Sequence, residues 1–160
     1  MAAAALLLVG VSTTTAEAAQ KVTWVASGKT QSCTLTSRAP TLSSTTKYLT
    51  ISATVSCTQS VTFTLFMRAV ELEGIGTSVV TEDGTNLMDM PGDYAVPGSV
   101  AAGRSVTLTY TIRRSCVNTP NDLTNGEEYA TKALLAVAVN GSILTSPIDR
   151  TVPKLNAYAC

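Results

Sequence analysis

The chain has 160 residues, with 11 basic and 11 acidic side chains and no histidine. Zero net charge gives no electrostatic footing on nucleic acid or an anionic membrane, and a chain without histidine cannot build a Ser-His-Asp or Cys-His nucleophile. Charged residues make up only 14% of it, against roughly 25% in ordinary soluble domains.

Residues 1–11 read Met-Ala-Ala-Ala-Ala-Leu-Leu-Leu-Val-Gly-Val and are followed by Ser12, Thr13, Thr14 and Thr15. That is the layout of a signal peptide, and Ala16-Glu17-Ala18 fits its small-x-small cleavage rule. Residues 1–18 are therefore expected to be removed, with the cut after Ala18 and Ala19 as the alternative. The run is shorter than the ~20 apolar residues that cross a bilayer. No Lys or Arg precedes it, which predicts a true start upstream of Met1. The competing reading is a short apolar strand or helix buried in the fold or in an assembly. Residues 19–160 form one domain of about 140 residues, enough for a core of its own.

From there the dominant period is two. Residues 21–26 and 31–37 are short alternating segments. Over 48–57, Leu49, Ile51, Ala53, Val55 and Cys57 share one face, and Thr50, Ser52, Thr54 and Ser56 take the other, the pattern of a half-buried strand. Residues 61–69 repeat it with Val61, Phe63, Leu65, Met67 and Ala69 inward, leaving Phe66 outward. The link Thr58-Gln59-Ser60 is short, so these two strands are expected to form a hairpin. A weaker strand is predicted at 77–81. Residues 82–103 carry Asp83-Gly84, Pro91-Gly92 and Pro97-Gly98 and read as a loop with at most one short edge strand. Residues 105–114 alternate cleanly, Val106, Leu108, Tyr110 and Ile112 inward and Thr107, Thr109, Thr111 and Arg113 outward. Residues 128–139 are apolar on both faces, as in a central strand, with a helix as the rival because Ala and Leu favour one. The flanking Asn125-Gly126 and Asn140-Gly141 favour a strand between turns. Asn140-Gly141-Ser142 also fits a glycosylation sequon, and the hairpin-turn reading is preferred. A last weak strand is predicted at 148–155.

Many short strands between turn signals predict an all-β chain, an antiparallel β-sandwich. The passage Pro97-Gly98-Ser99-Val100-Ala101-Ala102-Gly103-Arg104-Ser105-Val106-Thr107-Leu108-Thr109 resembles the turn-then-strand passage of bacterial secreted immunoglobulin-like and fibronectin-like domains. The resemblance covers about a tenth of the chain and implies an immunoglobulin-like sandwich. Trp24 precedes every cysteine, a departure from the antibody-type order of Cys, Trp and Cys.

Cys33, Cys57, Cys116 and Cys160 are an even set behind an export signal, which predicts two disulfides. The favoured pairing joins Cys33 to Cys57 across neighbouring strands and Cys116 to Cys160 as a staple for the C-terminal tail. The alternative joins Cys57 to Cys116 and Cys33 to Cys160, and a Cys160 link between subunits is a further possibility.

No cofactor, metal or catalytic residue is expected. The cysteines lack the close spacing of zinc sites, no phosphate-binding loop is present, and Glu82, Asp83, Asp89 and Asp93 match no calcium motif. The leading expectation is a non-enzymatic extracellular structural protein, a subunit of a cell-surface filament or layer. Its partners would be copies of itself or another surface protein. Threonine-rich strands with few charges leave strand edges poorly defended against pairing. Residues 20–29, ahead of the first cysteine, are expected to form an N-terminal arm that adds a strand to a neighbour, with Val22, Trp24 and Ala26 as its contacts. The alternative for that arm is the first strand of its own sheet. The alternative function is a monomeric secreted binding module or inhibitor acting through loops 82–103 and 118–128, with Met88, Met90 and Tyr94 as contacts.

Overall fold

The computed structural model describes residues 19–75, 78–82, 94–115 and 129–151, and every regular element among them is a β-strand. In chain order these are β1 (Gln20–Ala26), β2 (Lys29–Leu42), β3 (Tyr48–Cys57), β4 (Val61–Ile75), β5 (Ser78–Glu82), β6 (Tyr94–Val100), β7 (Ser105–Ser115), β8 (Tyr129–Val139), β9 (Ser142–Thr145) and β10 (Asp149–Arg150). All pairings are antiparallel. One sheet runs β1-β2-β3-β7; the second places β8 beside β4, with β9 and β10 on the far side of β8 and β5 and β6 on the far side of β4.

The period-two pattern is what makes these strands. Along β3 every second residue, Leu49, Ile51, Ala53, Val55 and Cys57, is buried, while the Thr and Ser between them are half-exposed. In β4, Phe63, Leu65, Met67 and Ala69 are buried in the same core. The two inner faces meet to form that core, as sandwich packing requires. The helix considered for 128–139 is absent: β8 is a central strand, paired with β4 on one side and with β9 and β10 on the other.

Two expectations are corrected. Residues 58–60 do not close a hairpin: both edges of β3 are taken by β2 and β7, and the chain crosses to the other sheet before β4 begins. Alternation reports which face is buried, not which strand lies alongside, so an inter-sheet arch and a hairpin look alike in sequence. The one short edge strand allowed within 82–103 is β6, paired with β4 from Tyr94 to Val100. Pro97 is tolerated there because β6 is an edge strand. The strand predicted over 31–37 runs on to Leu42 through an irregularity between Arg38 and Thr41. Strand β9 was not anticipated, and of 148–155 only Asp149–Arg150 is strand among the described residues.

Turns fit their residues. Ser27 and Gly28 both have positive φ (51° and 71°), as do Asn140 and Gly141 (49° and 80°), the condition for two-residue hairpin turns between β1 and β2 and between β8 and β9. The two inter-sheet crossings lie side by side and are stitched together: the Gly103 N–H donates to the Cys57 carbonyl at 2.9 Å, and the Ala102 N–H donates to Ser60 Oγ at 3.1 Å.

The flanks of the sandwich are closed differently. On one side the buried Asp149 carboxylate accepts the Ser37 N–H, and the Thr131 hydroxyl donates to the Arg38 carbonyl at 2.7 Å. On the other side Tyr94 of β6 stacks on Tyr110 of β7, ring centroids 3.8 Å apart.

Candidate functional site

Cys33 and Cys57 are register partners on β2 and β3 and form a disulfide, with Cα atoms 4.1 Å apart. The neighbouring Thr58 N–H donates to the Ser32 carbonyl at 2.9 Å, which makes Cys33 and Cys57 a non-hydrogen-bonded pair, the type in which Cα atoms approach closest. The predicted Cys33–Cys57 pairing is thus present. Cys116 and Cys160 lie outside the described residues. A disulfide is compatible with an oxidising compartment.

That pair also fixes where the backbone groups point along the regular stretches of this sheet, between its register shifts. Peptide groups alternate along a strand, so the odd residues of β3 turn theirs toward β7. Val106, Leu108, Tyr110 and Ile112 answer them as register partners of Val55, Ala53, Ile51 and Leu49. The intervening Ser105, Thr107, Thr109 and Thr111 must direct their N–H and C=O groups to the far edge of β7. No described strand pairs with that edge. The same alternation turns the peptide groups of Lys21, Thr23 and Val25 to the far edge of β1, with which no described strand pairs either.

These edges are not equally defended. β1 is short and carries Lys21, and β6 carries Pro97 and Gly98. From Ser105 to Ile112, β7 contains no Pro, no Gly and no charge, and its register with β3 is unbroken; Arg113, Arg114 and a register shift follow only at its end. Charges, prolines and bulges are the usual guards against edge pairing. The outer face of this sheet is lined with hydroxyls in cross-strand rows: Thr54 bonds Thr107 and Thr50 bonds Thr111, both at 2.9 Å, and Arg38 Nε donates to Thr54 Oγ1 at 3.0 Å.

The residues expected to act as an arm belong to β1. Val22 and Trp24 are buried in the chain's own core, and Ala26 packs against it partly covered. The Trp24 indole N–H has no hydrogen-bond partner among the described residues. What this strand turns outward is its backbone edge and Val25, 67% exposed. Tyr94 sits at the start of β6, held half-buried against Tyr110, while Met88 and Met90 lie outside the described residues. The sequence signal for the β7 edge is Thr107, Thr109 and Thr111 between apolar residues, uncharged up to Arg113.

The second sheet's outer face holds Phe66 beside its register partners Ala95 and Leu134, with Ile143 and Ile148 exposed nearby on the same side of the molecule. One row further, Arg68, Lys132 and Arg150 are register neighbours, and each already has an interaction partner. Among the described residues no group of three or more His, Cys, Asp or Glu is gathered as a metal site, and no helix is long and apolar enough to cross a membrane.

The described residues define a disulfide-linked β-sandwich with open strand edges. No family model, curated protein or solved structure matches this chain.

Proposed function

We propose that this is a non-enzymatic extracellular structural protein, a subunit of a cell-surface filament or layer assembled through β-strand edges. The observation that carries the reading is the edge of β7, eight residues from Ser105 to Ile112 without a guarding charge, proline or glycine. A strand edge of that kind is a template for another strand, with main-chain hydrogen bonds supplying affinity. The low charge of the whole chain works in the same direction, since little repulsion opposes the approach of copies. Two open edges on opposite sides of one sheet provide two contacts per subunit, which a growing array needs.

Secretion after cleavage of residues 1–18, and a second disulfide from Cys116 to Cys160, belong to the same proposal. Kinship with immunoglobulin-like domains rests on the passage from Pro97 to Thr109 and on the face-to-face packing of two antiparallel sheets. The strand order β1-β2-β3-β7 is this chain's own and differs from the ABED order of antibody constant domains.

Size-exclusion chromatography with light scattering, on residues 19–160 over a wide concentration range, tests the reading. Concentration-dependent oligomers are expected, with fibres or sheets under negative stain at the producing cell's surface. A sharp monomer at every concentration would sink it in favour of a monomeric binding module acting through its loops.

A further inference from the structure

We infer that β7 pairs with β7 of a second copy about a two-fold axis through Thr109, joining two four-stranded sheets into one of eight strands. This rests on the assembly reading above and specifies its contact. The sequence of β7 is palindromic in character: Val-Thr-Leu-Thr-Tyr-Thr-Ile over 106–112 has Thr109 at its centre. In an antiparallel pairing about that centre, Thr109 meets Thr109 of the second copy and Thr107 meets Thr111. On the inner face Leu108 meets Tyr110 and Val106 meets Ile112.

Three features of the strand fit this occupant. The peptide groups of Thr107, Thr109 and Thr111 point to the open edge, so these positions would form hydrogen-bonded pairs, about six main-chain bonds across the axis. The hydroxyl rows would continue across it, repeating the Thr–Thr contacts that β7 already makes with Thr50 and Thr54. Cover on the inner face is also incomplete. Ile51, Ala53 and Val55 of β3 are fully buried, whereas their β7 neighbours Tyr110, Leu108 and Val106 are only half-buried. A second β7 alongside would cover them. An isologous contact of this kind closes on itself as a dimer, so growth into a longer array falls to another contact, such as the β1 edge.

Two substitutions at the axis test it. Thr109→Pro removes the N–H aimed at the open edge and leaves the β3–β7 bonds intact, because proline is tolerated where an edge strand's N–H faces solvent. Thr109→Lys sets two like charges opposite one another in the pairing and changes no backbone group. Thr23→Pro makes the equivalent change on β1 as a control. Light scattering and circular dichroism are measured on all three and on the unaltered protein. Expected are folded proteins with the β7 contact weakened roughly a hundredfold in both Thr109 variants and retained in Thr23→Pro. If the unaltered protein assembles and folded Thr109→Lys assembles equally well, the β7 pairing is overturned while the assembly reading stands. Loss of assembly in Thr23→Pro alone would transfer the contact to β1 and overturn it too. A monomeric unaltered protein overturns both.

Discussion

A hydrogen atom in place of a side chain at position 98 lets β6 lie close against the core. A Cβ there would come within 2.7 Å of Phe63 Cζ and 2.9 Å of Leu108 Cδ1. Phe63 is buried, so its ring has little room to retreat. Gly98→Ala is expected to lower stability by about 1–3 kcal/mol, the usual cost of overpacking, read as a fall in the urea midpoint at unchanged slope. In sequence Pro97-Gly98 is simply a turn signal. Its role inside a strand depends on Phe63 and Leu108, which approach it from other strands. Asp149 teaches the same lesson, since nothing in Ile148-Asp149-Arg150 announces that its carboxylate holds the Ser37 N–H from the facing sheet.

Among the elements, the strands were legible wherever one face is apolar and the other hydroxylated. β3 and β7 follow their parities residue by residue over the described side chains, and β4 does so as far as Ala69, after which Val70 is buried with Ala130. Short or bulged strands were harder: β9 has four residues, and β2 continues past Ser37 through an irregularity that breaks the alternation. The Cys33–Cys57 bond ties β2 to β3 and closes a loop of about 25 residues, worth roughly 3–4 kcal/mol in the chain-entropy model. Replacing both cysteines with alanine is expected to cost about that much, measured by denaturant unfolding with the same change made under reducing conditions as a check. Strand β1 is held by Trp24 and Val22. Trp24→Ala is expected to destabilise the domain by about 3–5 kcal/mol, seen as a lower thermal midpoint. A stability equal to the unaltered protein would show instead that residues 20–29 are dispensable to the fold, as a free arm would be.

At the scale of the whole molecule, assembly and stability are linked. A contact made only by folded chains raises the apparent melting temperature with protein concentration. That rise is expected for residues 19–160 and should be smaller at a given concentration in Thr109→Lys, which loses the β7 contact and keeps any other. The sequence by itself determined the all-β class, the inward and outward face of each clean strand, and the Cys33–Cys57 partnership as the favoured pairing. The first two follow from local chemistry, since side chains alternate along a strand; the pairing is settled only by β2 lying beside β3 with Cys33 and Cys57 in register. Only the tertiary structure decided that residues 58–60 cross between sheets, that Trp24 turns into the chain's own core, and that β7 lies at an edge with the peptide groups of Thr107, Thr109 and Thr111 facing outward. Those are questions of which strand lies beside which, and alternation is the same for every choice of neighbour.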